Sequence, residues 1–263
     1  MFQRSQINQI YAALKEVGDF QKRKHRTLSI SDIEEKSLNQ LVSSVDIESE
    51  NQLVRTLSKI TPSASFITEE DTVDQISSEN RWIIDPLDGT TNYLFGHQQY
   101  SISIAYQKGE QTVFGCVYIP WEKELFMADE SGAYLNDHEY KISGKTHLAD
   151  SLLATGFPYH DFEEIDSYLA VLKDLMKQTK GLRRMGSAAI DLVYTSEYRF
   201  DAFFEMNLSP WDVAAGSYIV QQAGGTVCDF KGGDDFVFGN SILAGNKEIV
   251  PRLLDVIQSH IAL

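Results

Sequence analysis

Ile7, Ile10, Leu14 and Val17 recur at three- and four-residue intervals, the apolar stripe of an amphipathic helix that Gly18 interrupts or loosens. The spacing predicts a second helix from Asp32 to Val42, with Ser31 as N-cap, and a third from Glu48 to Ile60, stopped by Thr61-Pro62. From residue 64 the period changes. Phe66-Ile67-Thr68 and Trp82-Ile83-Ile84 are short apolar runs ending directly in acidic residues, which predicts strands with carboxylates at their ends. Ser101, Ser103 and Ala105 alternate with Ile102, Ile104 and Tyr106, and with Val113 to Ile119 and Glu124 to Ala128 they read as a meander or a set of hairpins. Phe162 to Gln178 and Ser187 to Tyr194 read as helices, Ala202 to Phe204 as a strand, and Val213 to Ala223 as an apolar helix ended by Gly224-Gly225. Val227 to Phe230 and Ser241 to Ala244 supply two more strands before a helix from Lys247 to Ile261. The pattern is mixed α/β, without an internal repeat or a low-complexity segment.

Composition adds limits. A chain of 263 residues, 43% hydrophobic and 23% charged, can bury a continuous core as one large domain or two closely packed ones. Cys116 and Cys228 form no CxxC pair, so neither a disulfide framework nor a thiolate zinc site is suggested. No window approaches the ~20 apolar residues of a membrane span, and Met1 to His25 hold no apolar stretch of signal-peptide length, so a cytoplasmic location away from membranes is expected. The formal net charge of -15 makes a nucleic acid polymer an unfavourable partner. It repels a small phosphorylated substrate equally unless bound divalent cations invert the field locally, although solubility alone also accounts for it. Lys22-Arg23-Lys24-His25-Arg26 looks like a polyanion patch and reads as a solvated helix end or loop.

The most informative stretch is Trp82-Ile83-Ile84-Asp85-Pro86-Leu87-Asp88-Gly89-Thr90-Thr91-Asn92. An apolar strand delivers Asp85 to its end, Pro86 stiffens the exit, and Asp88 returns close to Asp85 across the turn. Two carboxylates facing one cavity repel each other unless a hard cation binds between them, and oxygen-only ligands favour Mg2+ over zinc or copper. Gly89-Thr90-Thr91 can direct backbone N–H groups at an anion. Asp88-Gly89 alone also fits a plain tight turn. Asp212 opens an apolar helix where an anion is favoured, as an N-cap, a ligand or both.

Asp85-Pro86-Leu87-Asp88-Gly89-Thr90-Thr91-Asn92 resembles the first signature of the inositol monophosphatase family, and Trp211-Asp212-Val213-Ala214-Ala215-Gly216 resembles the second, in the family's order and at a typical separation. Phe66-Ile67-Thr68-Glu69-Glu70 is similar to the family's strand ending in a metal-binding glutamate. Arg184-Met185-Gly186-Ser187-Ala188-Ala189 and Phe204-Glu205-Met206 look like its substrate-lining segments. The resemblance, from about residue 30 to 245, implies an α/β fold, the layered α-β-α-β-α sandwich of the inositol monophosphatase/fructose-1,6-bisphosphatase type. It implies an N-terminal α+β half, residues 1–145, carrying most metal ligands, and a C-terminal α/β half, residues 146–263, carrying Asp212 and the substrate contacts. The site lies at their junction, and homodimers and lithium sensitivity are common.

Position by position, the resemblance implies that Glu69, Asp85 and the Leu87 carbonyl hold one Mg2+ and that Asp85, Asp88 and Asp212 hold a second, with a third, weaker metal near Glu69. The catalytic set is Glu69, Asp85 and Thr90. The reaction expected is in-line hydrolysis of a phosphomonoester, in which water loses its proton with help from Glu69 and the Thr90 hydroxyl, without a phosphoenzyme. Substrate contacts fall on Asp88, Gly89, Thr90, Gly186, Ser187, Ala188, Glu205 and Asp212. Glu205, seven residues before Asp212, matches the carboxylate that hydrogen-bonds substrate hydroxyls; it also reads as a surface strand-end glutamate. That favours a small phosphorylated polyol, inositol monophosphate first. NADP 2'-phosphate, 3'-phosphoadenosine 5'-phosphate and fructose 1,6-bisphosphate are the alternatives, and a catalytically silent metal- or nucleotide-binding regulator is a different class.

Some segments depart from the pattern. Leu41-Val42-Ser43-Ser44-Val45-Asp46 is shortened relative to the family's mobile loop, with Ser where Thr is usual, and Lys36 faces the site or is a solvated helix lysine. His97, His138, His147 and His160 fall at no metal-ligand spacing. Ser101-Ile102-Ser103 forms no G-x-S-x-G nucleophile elbow. Asp85 and Asp88 are too close in sequence to flank a sugar as a glycosidase pair.

Overall fold

The first apolar stripe forms α1 (Arg4–Lys24), which runs through Gly18. In the computed structural model, which describes residues 2–27, 33–37, 40–73, 78–158 and 162–261, a Cβ at position 18 would lie 2.6 Å from Tyr118 Cε1. The glycine therefore serves close packing rather than a break. Lys22, Arg23 and Lys24 of the basic run form the last turn of α1, where cations suit the helix dipole, and His25 is its C-cap.

The predicted second helix is instead a hairpin of β1 (Ile33–Ser37) and β2 (Gln40–Ser43), paired antiparallel; Ser31 and Asp32 lie outside the described residues. Ile33, Leu41 and Val42 fall at intervals that a helix also satisfies, but Ser43 decides the outcome. It is an extended N-cap (φ -129°, ψ 167°) whose hydroxyl accepts from Val45 N and whose N–H donates to Asp46 Oδ2. This capping box starts α2 (Ser44–Ile60) and leaves the residues before it extended.

The expected meander is present. β3 (Ser65–Thr68), β4 (Asn80–Asp88), β5 (Ser101–Lys108), β6 (Gln111–Ile119), β7 (Glu124–Asp129), β8 (Gly132–Leu135) and β9 (His138–Tyr140) lie in sequence order in one sheet. Only the β3/β4 pair is parallel, and α3 (Thr90–Leu94) follows β4. A second sheet is formed by β10 (Leu152–Thr155), β11 (Gly181–Arg183), β12 (Ala202–Met206), β13 (Thr226–Cys228) and β14 (Ser241–Gly245), in the order β11-β10-β12-β14-β13. With it come α4 (Ile165–Gln178), α5 (Ala188–Ser196), α6 (Pro210–Gln222) and α7 (Val250–Gln258). β13 stops short of Phe230 because the Asp229 side chain accepts from Lys231 N and Gly233 N and turns the chain.

Strand alternation sorts the core into layers. Trp82, Ile84, Ile102 and Ile104 face Ile10 and Leu14 of α1 and Leu53 and Leu57 of α2. On the opposite face Ile83, Ala105 and Val117 meet Ala189 and Ile190 of α5 and Ala214, Ala215 and Ile219 of α6. The other side of those helices, through Leu192, Val213 and Val220, packs on Phe203, Ile242 and Ala244 of the second sheet. Its outer face, with Leu153, Phe204 and Leu243, is covered by α4 and α7. The result is an α-β-α-β-α sandwich, as expected. Both cysteines are free and buried, and no described helix is long and apolar enough to cross a membrane.

The central helices lie very close to the large sheet. A Cβ on Gly115 of β6 would stand 2.8 Å from the Ala215 carbonyl oxygen of α6. Because two backbones would have to separate, Gly115→Ala is expected to destabilise the protein by about 1–3 kcal/mol, read as a lower denaturation midpoint; an unchanged midpoint would contradict this close stacking.

Candidate metal centre

In a regular strand, residues three apart point to opposite faces. Asp85 and Asp88 nevertheless share one, because β4 does not end at Asp85 in a turn; it continues to Asp88 through a bulge. Asp85 pairs with Ser103 and Asp88 with Ser101, so β4 advances three positions while β5 advances two. Pro86 has no N–H to lose at such an irregularity. Leu87 N donates to Asp85 Oδ1 at 2.9 Å, and the buried Gln21 side chain of α1 donates to the Pro86 carbonyl at 2.7 Å.

Asp212 arrives from the N-terminus of α6. Its Oδ2 accepts from Ser209 N at 2.7 Å in a capping box, so the cap role is real and coexists with its place in the cluster. Carboxylate oxygens of Asp85, Asp88 and Asp212 lie within 4.8 Å of one another. Asp88 is anchored through Oδ2, which accepts from the Ser187 hydroxyl at 2.5 Å, Ala189 N at 2.7 Å and the Ser101 hydroxyl at 3.5 Å. Glu69 follows β3, its N–H donating to the Ile84 carbonyl at 3.3 Å. Its side chain is hydrogen-bonded to Asp85, which also bonds Asp212.

Burial, then neighbouring carboxylates, raises Glu69 and Asp85 well above the usual carboxylate range. Burial pushes Asp88 up to about 6 against hydrogen bonds led by that from Ser187, and burial with the charge of Asp88 pushes Asp212 up to about 7. Two carboxyls can share a hydrogen bond only when one carries a proton, and a divalent cation can supply the same neutralisation. The donors are all oxygen, without thiolate or imidazole, which fits a hard cation such as Mg2+.

Thr90 begins α3 after Gly89, whose left-handed conformation (φ 96°) makes the turn. Its Oγ1 lies 3.0 Å from both Asp46 Oδ1 and the Leu87 carbonyl. Asp46, fully buried, had no role in the sequence reading; the Ser-x-x-Asp box opening α2 was the signal that places it. Asn92 was also missed as a tie. Its side-chain amide donates to the Gln99 and Met185 carbonyls, tying the first signature to the 184–189 segment.

Ser187 caps α5, and the N–H groups of Ala188 and Ala189 also point at Asp88. The structure thus brings Glu69, Asp85, Leu87, Asp88, Gly89, Thr90, Gly186, Ser187, Ala188 and Asp212 around one region. Glu205 on β12 is buried rather than a surface strand end. Burial, with Asp212 adding and Arg184 opposing, pushes it up to about 8. Gly156, also missed, makes room for it: a Cβ there would overlap the Glu205 carboxylate. His97, His138 and His147 are exposed and outside the acidic cluster, whereas His160 and the Lys36 side chain lie outside the described residues.

The layered fold is of the kind that the sequence motifs imply, and the acidic cluster lies where β4 meets the N-terminus of α6. The model of the inositol monophosphatase family matches residues 3–262. The chain is 37% identical over 261 residues to the Nus factor SuhB of Pseudomonas aeruginosa, covering 97% of this chain and 96% of that one. It is 38% identical over 219 residues to the inositol-1-monophosphatase of Mesorhizobium japonicum, covering 82% of each. The crystal structure of the extragenic suppressor protein suhB from Bartonella henselae matches it with a TM-score of 0.90 at 36% identity, over 98% of this chain and 100% of that one. The chain belongs to the inositol monophosphatase family. That family is metal-dependent, and Asp85, Asp88 and Asp212 have the geometry to hold a metal ion.

Proposed function

We propose that this protein is a Mg2+-dependent phosphomonoesterase acting on a small phosphorylated polyol, inositol monophosphate first. The observation that carries the proposal is the cluster of buried Asp85 and Asp88 with half-buried Asp212, with Glu69 hydrogen-bonded to Asp85. Glu69, Asp85 and the Leu87 carbonyl would hold one cation, and Asp85, Asp88 and Asp212 a second. When bound, Mg2+ supplies charge neutralisation at the phosphoryl oxygens and acidifies the attacking water.

The chain supplies positioning and proton handling. With its O–H given to Asp46, Thr90 keeps oxygen lone pairs free to accept from the attacking water. Glu69, kept basic by burial and its acidic neighbours, accepts the proton. Asp88 is held rigid by Ser187 and Ala189, and Glu205 offers a hydrogen bond to a polyol hydroxyl. The same reading takes residues 1–145 and 146–263 as two halves whose junction carries the site.

Gly156→Ala tests the substrate pocket. Displacing Glu205 is expected to lower kcat/KM by on the order of 10–100-fold, the loss of one or two hydrogen bonds, while Mg2+ binding is retained. Unchanged kinetics would remove Glu205 from the substrate contacts. The proposal as a whole is tested by phosphate release with and without Mg2+ from inositol 1-phosphate, NADP, 3'-phosphoadenosine 5'-phosphate and fructose 1,6-bisphosphate, with the first expected to be the best substrate. A regulator without catalysis is the second reading, favoured by the name of the Pseudomonas relative. Metal binding without release from any of the four compounds would favour it.

A further inference from the structure

We infer that Glu50 is a positioning residue that fixes Glu69 for metal binding and proton transfer, an inference resting on the metal-site reading above. Glu50 lies on α2 and is 0% exposed. A buried carboxylate is unfavourable unless its oxygens are bonded, and the donors here come from Glu70 and Thr72, in the turn just beyond Glu69. Glu70 N donates to Oε2 at 2.8 Å; Thr72 N and the Thr72 hydroxyl donate to Oε1 at 2.9 and 2.7 Å.

Between the two gripped N–H groups stands Asp71, with φ 50° in the left-handed region. The chain therefore turns sharply after Glu69, and the Glu50 carboxylate occupies the concave side of the turn, as an anion occupies a backbone nest. β3 ends at Thr68, so its ladder does not order this turn. Glu69 is fixed ahead by its own N–H on the Ile84 carbonyl and behind by Glu50 on the next peptide.

The rest of this helix face supports the assignment. Asp46 and Glu50, four residues apart, share one face of α2. Asp46 holds Thr90, and Ser49 accepts from Gln21, which in turn holds the Pro86 carbonyl beside Asp85. One buried polar face thus sets Thr90, the β4 bulge and the Glu69 turn relative to one another.

Glu50→Gln keeps the shape but replaces one acceptor oxygen with an amide that faces an N–H donor. In the full chain, Mg2+ binding measured by calorimetry without substrate is expected to weaken by about 10-fold or more, the usual range for a residue orienting a ligand. The half-saturating Mg2+ for phosphate release should rise by a similar factor, with activity largely recovered at high Mg2+. Thr72→Ala, which removes one hydrogen bond, should shift both quantities in the same direction by less, and it carries the test if Glu50→Gln fails to fold. A lower melting temperature with wild-type Mg2+ affinity and half-saturation in the folded variants would show a structural role only and overturn the inference. A wild-type protein that binds no divalent cation would overturn the metal reading and this inference with it.

Discussion

Asp85→Asn is expected to lower phosphate release by on the order of a thousandfold or more while the protein remains folded. Asp85 is 1% exposed, is hydrogen-bonded to both Glu69 and Asp212, and is the residue assigned to both cations. Asn has nearly the same volume and can still accept from Leu87 N, so the β4 bulge keeps its local hydrogen bond. What it lacks is charge. It cannot bridge two cations as a carboxylate does, and it removes one of several acidic groups that disfavour one another's ionisation. The variant should therefore melt at or above the wild-type temperature in EDTA and gain less from added Mg2+. Near-normal turnover by this variant would remove Asp85 from the centre of the mechanism.

The metal-free protein is expected to lose stability as pH rises from about 5 to about 8. Burial raises Asp88 to about 6 against the hydrogen bonds it accepts, and burial first, then neighbouring carboxylates, raises Asp212 to about 7 and Glu205 to about 8. Unfolded carboxyls titrate near about 4. Within that window the folded state holds protons that the unfolded state has lost, so the slope of stability with pH is negative, and the contribution present at low pH disappears as pH passes each folded value. In EDTA the melting temperature should be lower at pH 8 than at pH 6 by about 5 °C or more, equivalent to a few kcal/mol in a chain of this size. Saturating Mg2+, which binds the ionised cluster of the folded state, should recover most of the loss at pH 8. Asp212→Asn should flatten the profile. A melting temperature in EDTA that does not change with pH would contradict the cluster's electrostatics.

The parts of the site legible in the sequence are those where one segment carries its own chemistry. Asp85 to Asn92 and Trp211 to Gly216 were readable because a strand or helix end and its carboxylates are contiguous. The apolar periods show a mixed α/β pattern and the family resemblance implies its five layers; in the structure neighbours such as Ile83 and Ile84 serve opposite faces of the large sheet. Legibility stopped where distant segments decide. Asp-Pro-Leu-Asp fits both a turn and a bulge, and pairing with Ser101 and Ser103 selects the bulge. Glu205 resembles an exposed strand end until Gly156, on a different strand's exit, provides room for it inside. Asp46 and Glu50 resemble the solvated face of a polar helix, and only the loops that fold over α2 turn that face inward. The hairpin of β1 and β2 was masked by helical spacing that the cap at Ser43 overrides.

The most direct measurement is phosphate release from inositol 1-phosphate by protein stripped with EDTA, followed as Mg2+ is added back. No release at the start, then turnover that rises and saturates with Mg2+, is the expected result. Release that is independent of Mg2+, or none at any concentration across the substrate panel, would contradict a phosphatase built on Asp85, Asp88 and Asp212.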